Sequence, residues 1–581
     1  MSKWRYNLVF ALLAGALLAL AGRVVHLQLR YGSRLSKTAL RQQRRVVSLP
    51  ARPGNIYARS RGGYVLLAAA RQVPSIYADP VFIGEEGQLA AAARKAAPAL
   101  GVSAERLFCK MYNRRFRRFA YLLRDVTGAQ EREAGRLRVP GIKLTYEWRR
   151  SYPRGRLGAH VLGHRQTDGA AGAGIELKAD HWLKSHRGSE VVYCDAARRG
   201  RYARVGYHRP PRDGKHVALT LDVVIQGFLE EALATAVERF SPAGAMGVVM
   251  DPNTGKVLAM ASHPSYDPND YGRASNVDRR NRALTDPYEP GSAFKPFIAI
   301  GAIQMGRASV DTPLFCHHGL YRAHRGGTIR DFPGERFGTI PLSEVVIHSS
   351  NIGMAKLGER LGNETLARIA RAFGFGRRTA VDLPGECPGK LVPTRKWTSY
   401  ATRRMPFGQG PIMVTVLQLA NAFSAIANGG VLLRPWIVDR VLKADGEVVY
   451  RGRPHRVHRV LDPAVARQFI DEVLVQVVER GTGKKCRLRR WRAFGKTGTG
   501  QIAGPQGYIP EAYTATFVAG APANRPAVVC AISVYRPDYA KGHTGGTVSA
   551  PAVRGVLKNA LAYLDVPPDK FETVAAQRPV R

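Results

Sequence analysis

Read from the N-terminus, the first strong pattern of apolar positions is an uninterrupted run, Leu8–Gly22, preceded by Lys3 and Arg5. At about 1.5 Å per helical residue this run alone is short for a hydrocarbon core of about 30 Å, so Tyr6, Asn7 and the Val24–Val25 segment must extend it. Basic residues ahead of the run argue for a cytoplasmic N-terminus, although Arg23, Arg30 and Arg34 follow it and weaken the asymmetry. Ala19-Leu20-Ala21 before Gly22 also suits signal-peptide cleavage. A retained single-pass anchor and a cleaved leader both stand at this point. Both export everything that follows.

Residues 38–48 are polar and basic, which predicts a stalk. From 52 to 213 the pattern mixes short strands with helical pieces. Ser75–Tyr77 is strand-like after Pro74, and Glu85–Leu100 is Ala-rich with helical periodicity. Arg209-Pro210-Pro211-Arg212-Asp213-Gly214 is rich in turn formers and marks a boundary. Beyond it come an alternating strand, Val217–Leu221, and a helical stretch, Val223–Val237. Ala245–Met250 and Lys256–Ser262 read as a hairpin joined by Asp251-Pro252-Asn253-Thr254-Gly255. A second hairpin, Thr514–Ala519 with Ala527–Val534, lies far downstream, with mostly helical sequence between the two. Ala552–Leu564 predicts a helix packed on the sheet. Strands at both ends of a segment with helices between them predict an α+β fold, an antiparallel sheet whose halves meet in space. The expected divisions are an anchor at 1–30, an N-terminal domain at 31–213, the α+β domain at 214–566 and a tail at 567–581.

Composition changes the picture in one respect. Lys and Arg number 88 against 44 Asp and Glu, a formal charge of +44 with a pI near 10.6. Such a balance speaks about partners, not fold. Nucleic acid, an anionic membrane surface and an anionic polymer such as a cell wall would all suit it, as would a plain solvated Arg-rich surface. No zinc-finger spacing, RNA-recognition signature or basic region followed by heptads occurs, which argues against nucleic acid. Six cysteines, Cys109, Cys194, Cys316, Cys387, Cys486 and Cys530, are too sparse for a disulfide framework. Cys316-His317-His318 lacks a second ligand pair at a structural-zinc spacing and reads as a loop, so no metal and no cofactor is expected.

Three short motifs carry chemistry. In Glu289-Pro290-Gly291-Ser292-Ala293-Phe294-Lys295, Pro-Gly ends a loop and the apolar stretch Phe297–Met305 predicts a buried helix. Ser292 then lies in the first turn with Lys295 over the same face. Burial lowers a lysine's affinity for its proton, so the amine is able to accept the serine's hydroxyl proton. Ser349-Ser350-Asn351 opens another helix and offers a hydroxyl and a carboxamide to one side of a cleft. Lys496-Thr497-Gly498-Thr499-Gly500 offers a cation, hydroxyls and a glycine-lined strand edge on which a peptide backbone lies by β-augmentation. Each alone has an ordinary explanation: a helix-start serine, an N-cap cluster, a loop tripeptide. Their conjunction in this order does not.

Ser-x-x-Lys, Ser-x-Asn and Lys-Thr-Gly in sequence form the signature of penicillin-binding proteins and class A β-lactamases. Arg280–Pro296 resembles the nucleophile region of class B penicillin-binding proteins, especially the division-specific FtsI type. Asp251–Asn269, Phe407–Gly430 and Gly495–Gln501 are similar to the same family, and Arg149–Gly163 and Gly172–Leu183 resemble its non-catalytic, elongated pedestal. The resemblance implies a peptidoglycan D,D-transpeptidase with a penicillin-binding transpeptidase domain. Ser292 would be the acylated nucleophile and Lys295 its base. Ser349 would relay a proton, and Asn351 would hold the substrate amide. Lys496, Thr497, Gly498 and Thr499 would grip the donor carboxylate, and the N–H groups of Ser292 and Thr499 would form the oxyanion hole. It further implies D-Ala-D-Ala stem peptides as substrates, β-lactams as acylating mimics and an FtsW-like SEDS glycosyltransferase among other division proteins as partners. The site would lie outside the cytoplasmic membrane. Ala58 stands where the family usually has Asp, and Pro406 where Ser is usual. A D,D-carboxypeptidase, a β-lactamase, an elongation-type transpeptidase and a non-catalytic sensor are the competing readings. No glycosyltransferase-sized segment fits before Lys215.

Overall fold

The computed structural model describes residues 3–193, 204–324 and 327–570. The chain divides into two compact units, Met1–Pro53 with Lys184–Gly214, and Gly54–Leu183 with Lys215–Arg581. Cys194 and residues 571–581, most of the expected tail, lie outside the described residues.

In the first unit a single helix spans Lys3–Gln43. Its 41 residues correspond to about 60 Å. Leu12, Leu17 and Leu18 are exposed along it, and the helix is long and apolar enough to cross a membrane. The apolar run is therefore not limited to its own length, because the helix continues through Arg23. The basic stretch 38–48 divides between the end of this helix and the strand Arg44–Leu49. That strand pairs antiparallel with Gly188–Tyr193, and Arg204–Arg209 adds a third strand.

The second unit contains two large sheets. One, of seven strands, is mixed. Ile56–Ser60 lies parallel to His216–Asp222 and antiparallel to Gly63–Ala78, which in turn pairs with Ile142–Ser151. This pairing joins Gly54–Leu183 to the C-terminal part of the chain. A buried carboxylate, Glu176, ties the two pedestal-like segments together: it accepts hydrogen bonds from Arg150, from Arg165 Nε at 2.8 Å and from the Tyr152 hydroxyl at 3.1 Å. Ala58 is fully buried in strand Ile56–Ser60.

The other sheet carries the candidate site. Helix α1 (Val223–Phe240) begins at Asp222, whose carboxylate accepts the N–H groups of Val224 and Ile225. Strands β1 (Gly244–Met250) and β2 (Val257–His263) form the first hairpin. Helices α2 (Lys295–Gln304), α3 (Asn351–Ala372) and α4 (Val416–Ala427) follow. Strands β3 (Phe494–Gly504), β4 (Gly507–Ala521) and β5 (Val528–Tyr535) precede helix α5 (Gly545–Tyr563). The strand order is β2-β1-β5-β4-β3, antiparallel throughout. The two halves of the sequence thus meet at the β1–β5 seam.

Both faces of this sheet are covered, which is why β1 is apolar at every position. Met246, Val248 and Met250 join Phe297 and Phe423 on one side, while Ala245 and Val249 join Leu229 and Val553 on the other. That alternation is the period of two of a pleated strand. Burying one phenylalanine as completely as Phe297 stabilises by about 1.5–3 kcal/mol. The core therefore holds α2 firmly against the sheet.

Candidate active site

The loop before α2 ends at Pro290 and Gly291, the latter at φ +54°. Gly291–Phe294 form one 3-10 turn, and the Lys295 N–H closes on the Ser292 carbonyl. Side chains three apart eclipse in such a turn, so Ser292 and Lys295 share a side. Ser292 is half-buried and Lys295 fully buried. The predicted helix start is correct in place, with a tighter first turn.

A second element converges on the same lysine. The helix Leu342–Ile347 ends, Ser349 adopts φ +68°, and Ser350 caps α3 by accepting the Gly353 N–H at 3.0 Å. Lys295 Nζ donates to the Ser349 carbonyl, to Ser349 Oγ at 3.1 Å and to Asn351 Oδ1 at 2.9 Å. From β3, Lys496 Nζ donates to Ser349 Oγ at 2.9 Å and to Thr497 Oγ1 at 3.2 Å. The Ser349 hydroxyl therefore bridges two lysine nitrogens that arrive from sequence positions 201 residues apart.

Neither lysine has exposed surface, and among the described residues neither bonds a carboxylate. Burial pulls Lys295 down to about 7, against a partial opposing pull from Asp331 and Cys316. Lys496 falls well below its ordinary range, first through burial and then through the charge of Lys295 beside it. Two ammonium groups sharing one hydroxyl in a dry site disfavour double protonation. Near neutrality Lys295 is thereby divided between its charged and neutral forms beside the Ser349 hydroxyl.

Strand β3 is the last strand of its sheet, so its outer edge has no strand partner among the described residues. Its Lys496–Gly500 stretch packs on the nucleophile turn at backbone contact. A Cβ at Gly498 would lie 2.5 Å from the Pro290 carbonyl oxygen and 2.9 Å from Ala293 Cβ. Gly498→Ala is thus expected to pry the strand from the turn. The cost is about 1–3 kcal/mol of stability, with acylation by penicillin lowered about 10²-fold by misplacement alone. Thermal melting and the rate of penicillin labelling would check it; an unchanged rate would show that the strand tolerates the shift.

Ser292, Ser349, Asn351, Thr497 and Thr499 line one cleft of about 1120 Å³. Lys295 and Lys496 lie beneath its floor, and Gly498 serves by packing. Thr497 Oγ1 is 2.8 Å from Thr482 Oγ1, and Thr499 Oγ1 accepts the Gly545 N–H at the start of α5 at 3.4 Å. Several contributors escaped the sequence reading. Asp331 binds the turn at Ser350. Glu289 accepts the Tyr508 hydroxyl at 3.0 Å and the Gly410 N–H at 3.0 Å, holding the β3–β4 hairpin to the nucleophile loop. Tyr513, Tyr539 and His543 stack along one wall, the last two 4.3 Å apart. Pro406 is buried behind the cleft against Gly358, while Phe407 and Gln409 reach its lining. Pro406 thus sits in the packing behind the cleft. Cys316 lies in a loop, as expected, but is buried there, and His317 stacks on Tyr321. Among the described residues Cys109, Cys316, Cys387, Cys486 and Cys530 are unpaired.

Comparison with known proteins agrees with this geometry. Residues 245–558 match the penicillin binding protein transpeptidase domain, and residues 48–219 match the penicillin-binding protein dimerisation domain. A probable peptidoglycan D,D-transpeptidase PbpC of Pseudomonas aeruginosa is 31% identical over 576 residues, covering 98% of this chain and 97% of the relative. The peptidoglycan D,D-transpeptidase FtsI of Escherichia coli K12 is 31% identical over 575 residues, with 98% and 93% covered. A crystal structure of penicillin-binding protein 3 from Mycobacterium tuberculosis, complexed with ampicillin, superposes with a TM-score of 0.69 at 27% identity, covering 91% of this chain and 98% of that one. This chain belongs to the penicillin-binding protein transpeptidase family, with a dimerisation-type domain ahead of its transpeptidase domain.

Proposed function

We propose that the protein cross-links peptidoglycan as a serine D,D-transpeptidase, and the observation that carries this is the Ser349 hydroxyl held between Lys295 and Lys496 in the cleft that Ser292 lines. Lys295 takes the Ser292 proton as Oγ attacks the carbonyl carbon of the penultimate D-Ala. The tetrahedral intermediate collapses, the peptide bond breaks, and the terminal D-Ala leaves with a proton relayed through Ser349. An amine of a neighbouring stem then attacks the ester, forms the cross-link and returns Ser292 to its alcohol. Asn351 orients the donor amide. Lys496, Thr497 and Thr499 hold the donor carboxylate, and the Ser292 and Thr499 N–H groups stabilise the oxyanion. A β-lactam enters the first half of the same route and stays as a slowly hydrolysed ester.

The finer assignments belong to this reading too. The divisions at 1–30, 31–213, 214–566 and 567–581 are offered as anchor, pedestal, transpeptidase domain and tail. The N-terminal helix is retained with its N-terminus in the cytoplasm and the cleft outside, as the leading Lys3 and Arg5 favour. A septal role and an FtsW-like polymerising partner rest on likeness of the nucleophile region to the division type, and on a dimerisation module occupying the N-terminal portion.

Labelling with fluorescent penicillin followed by peptide mapping tests the core of it. The label is expected on Ser292, persisting for many minutes. Rapid loss would favour a β-lactamase, and a label elsewhere would remove the assignment. With donor and acceptor peptides, an amide product separates transpeptidation from the carboxypeptidase reading. The pH profile adds a second check. Only neutral Lys295 accepts the proton, so acylation is expected to be maximal above pH 7 and to fall about tenfold per unit well below it. A flat profile down to pH 5 would exclude an amine as the base.

A further inference from the structure

Within this functional reading, one carboxylate stands under the Ser349 turn at the margin of the cleft. We propose that Asp331 is a positioning residue for acyl transfer: it clamps the first turn of α3 and so presents Ser349 Oγ and Asn351 Oδ1 to Lys295. Asp331 Oδ2 accepts from the Ser350 hydroxyl at 2.8 Å, and Oδ1 accepts the N–H groups of Asn351 at 2.6 Å and Ile352 at 3.0 Å. The neighbouring Arg330 carbonyl accepts Asn351 Nδ2 at 3.0 Å, which fixes the amide with its oxygen toward Lys295. Asp331 is itself anchored through its N–H to the Gly319 carbonyl at 3.2 Å and is only 8% exposed.

Two physical needs meet in this side chain. Ser349 sits at φ +68°, a left-handed conformation that costs a non-glycine residue about 1–3 kcal/mol and persists only where its surroundings over-determine it. A helix start also leaves N–H groups without partners and favours negative charge. One carboxylate answers both. Its charge has a further effect: Asp331 and Cys316 are the groups that oppose the effect of burial on Lys295, and Asp331 is the carboxylate of the two, while Lys496 faces Lys295 across the Ser349 hydroxyl. It opposes burial and keeps the amine basic enough to take a proton near neutrality.

The test uses the full chain and compares Asp331→Asn with Asp331→Ala by the rate of penicillin acylation across pH. The Asn variant keeps an oxygen for the α3 N–H groups and loses the charge, so the acid limb is expected to move to lower pH with much of the maximal rate retained. The Ala variant loses the clamp, and its maximal rate is expected to fall about 10²-fold. If it fails to fold, the Asn variant alone decides through its pH profile. A labelled wild type with both folded variants at wild-type rate and an unmoved acid limb overturns the proposal. A rate lowered in step with melting temperature, with no shift of the limb, overturns it equally. An unlabelled wild type would instead remove the acyl-transfer reading itself.

Discussion

Ser292→Ala is expected to abolish penicillin labelling and cross-linking, with kcat lowered on the order of 10⁴–10⁶-fold, the scale seen when a serine nucleophile is removed from an intact site. The substitution deletes one oxygen from a half-buried position at the head of α2 and disturbs no hydrogen bond that holds the fold. Stability should therefore stay within about 0.5 kcal/mol of wild type. The variant should still bind a β-lactam reversibly, because the strand edge and Lys496 are untouched. Covalent label surviving in it, detected by intact-protein mass, would transfer the nucleophile to another residue.

Lys295→Met is expected to lower acylation by about 10²–10⁴-fold, the usual worth of a positioned general base. Methionine fills a similar volume, so the test isolates the amine. Two opposed effects bear on stability. Removing a buried amine relieves its desolvation, whereas the Ser349 carbonyl and Asn351 Oδ1 lose a donor, costing about 1–3 kcal/mol each where no other partner reaches them. Melting temperature should change little while the rate collapses. The residual rate should also lose its dependence on pH near 7, since the titrating group is gone. Retention of the acid limb in this variant would assign it to a different base.

Much of the site was legible because its chemistry is written in local spacing. Ser292 and Lys295 are one 3-10 turn apart, Ser349 and Asn351 open a helix, and Lys496–Gly500 is a strand segment. Each motif specifies a backbone shape that a few residues determine. The α+β class followed from hairpins at the two ends of the domain, and the β1–β5 pairing joins them. What escaped depends on distant packing. Asp331 lies 19 residues from Ser350 and reaches it through a small hairpin that no periodicity announces. Glu289 and Tyr508 are 219 residues apart, yet bond directly. The parallel pairing of Ile56–Ser60 with His216–Asp222 is equally invisible, since register between remote strands is set by the core they share. Cys316 reads as a loop residue beside two histidines, and its burial could not be read locally, because it comes from the turn at Ser350, whose hydroxyl lies 3.4 Å from the sulfur.

The unpaired outer margin of β3 has a consequence for selectivity. Natural sheets usually shield such a margin with charge, proline or a covering element, because any extended chain can add to it. Here the margin has no strand beside it among the described residues where glycine alternates with threonine, so that under the proposed function recognition would fall on main-chain amides and a terminal carboxylate. Stem peptides differing at side chains remote from the scissile bond would then be read alike, whereas inverting the handedness at the residue laid along the strand would misalign every amide at once. Tolerance of wall chemistry and intolerance of stereochemistry would then arise from the same unpaired row of peptide groups.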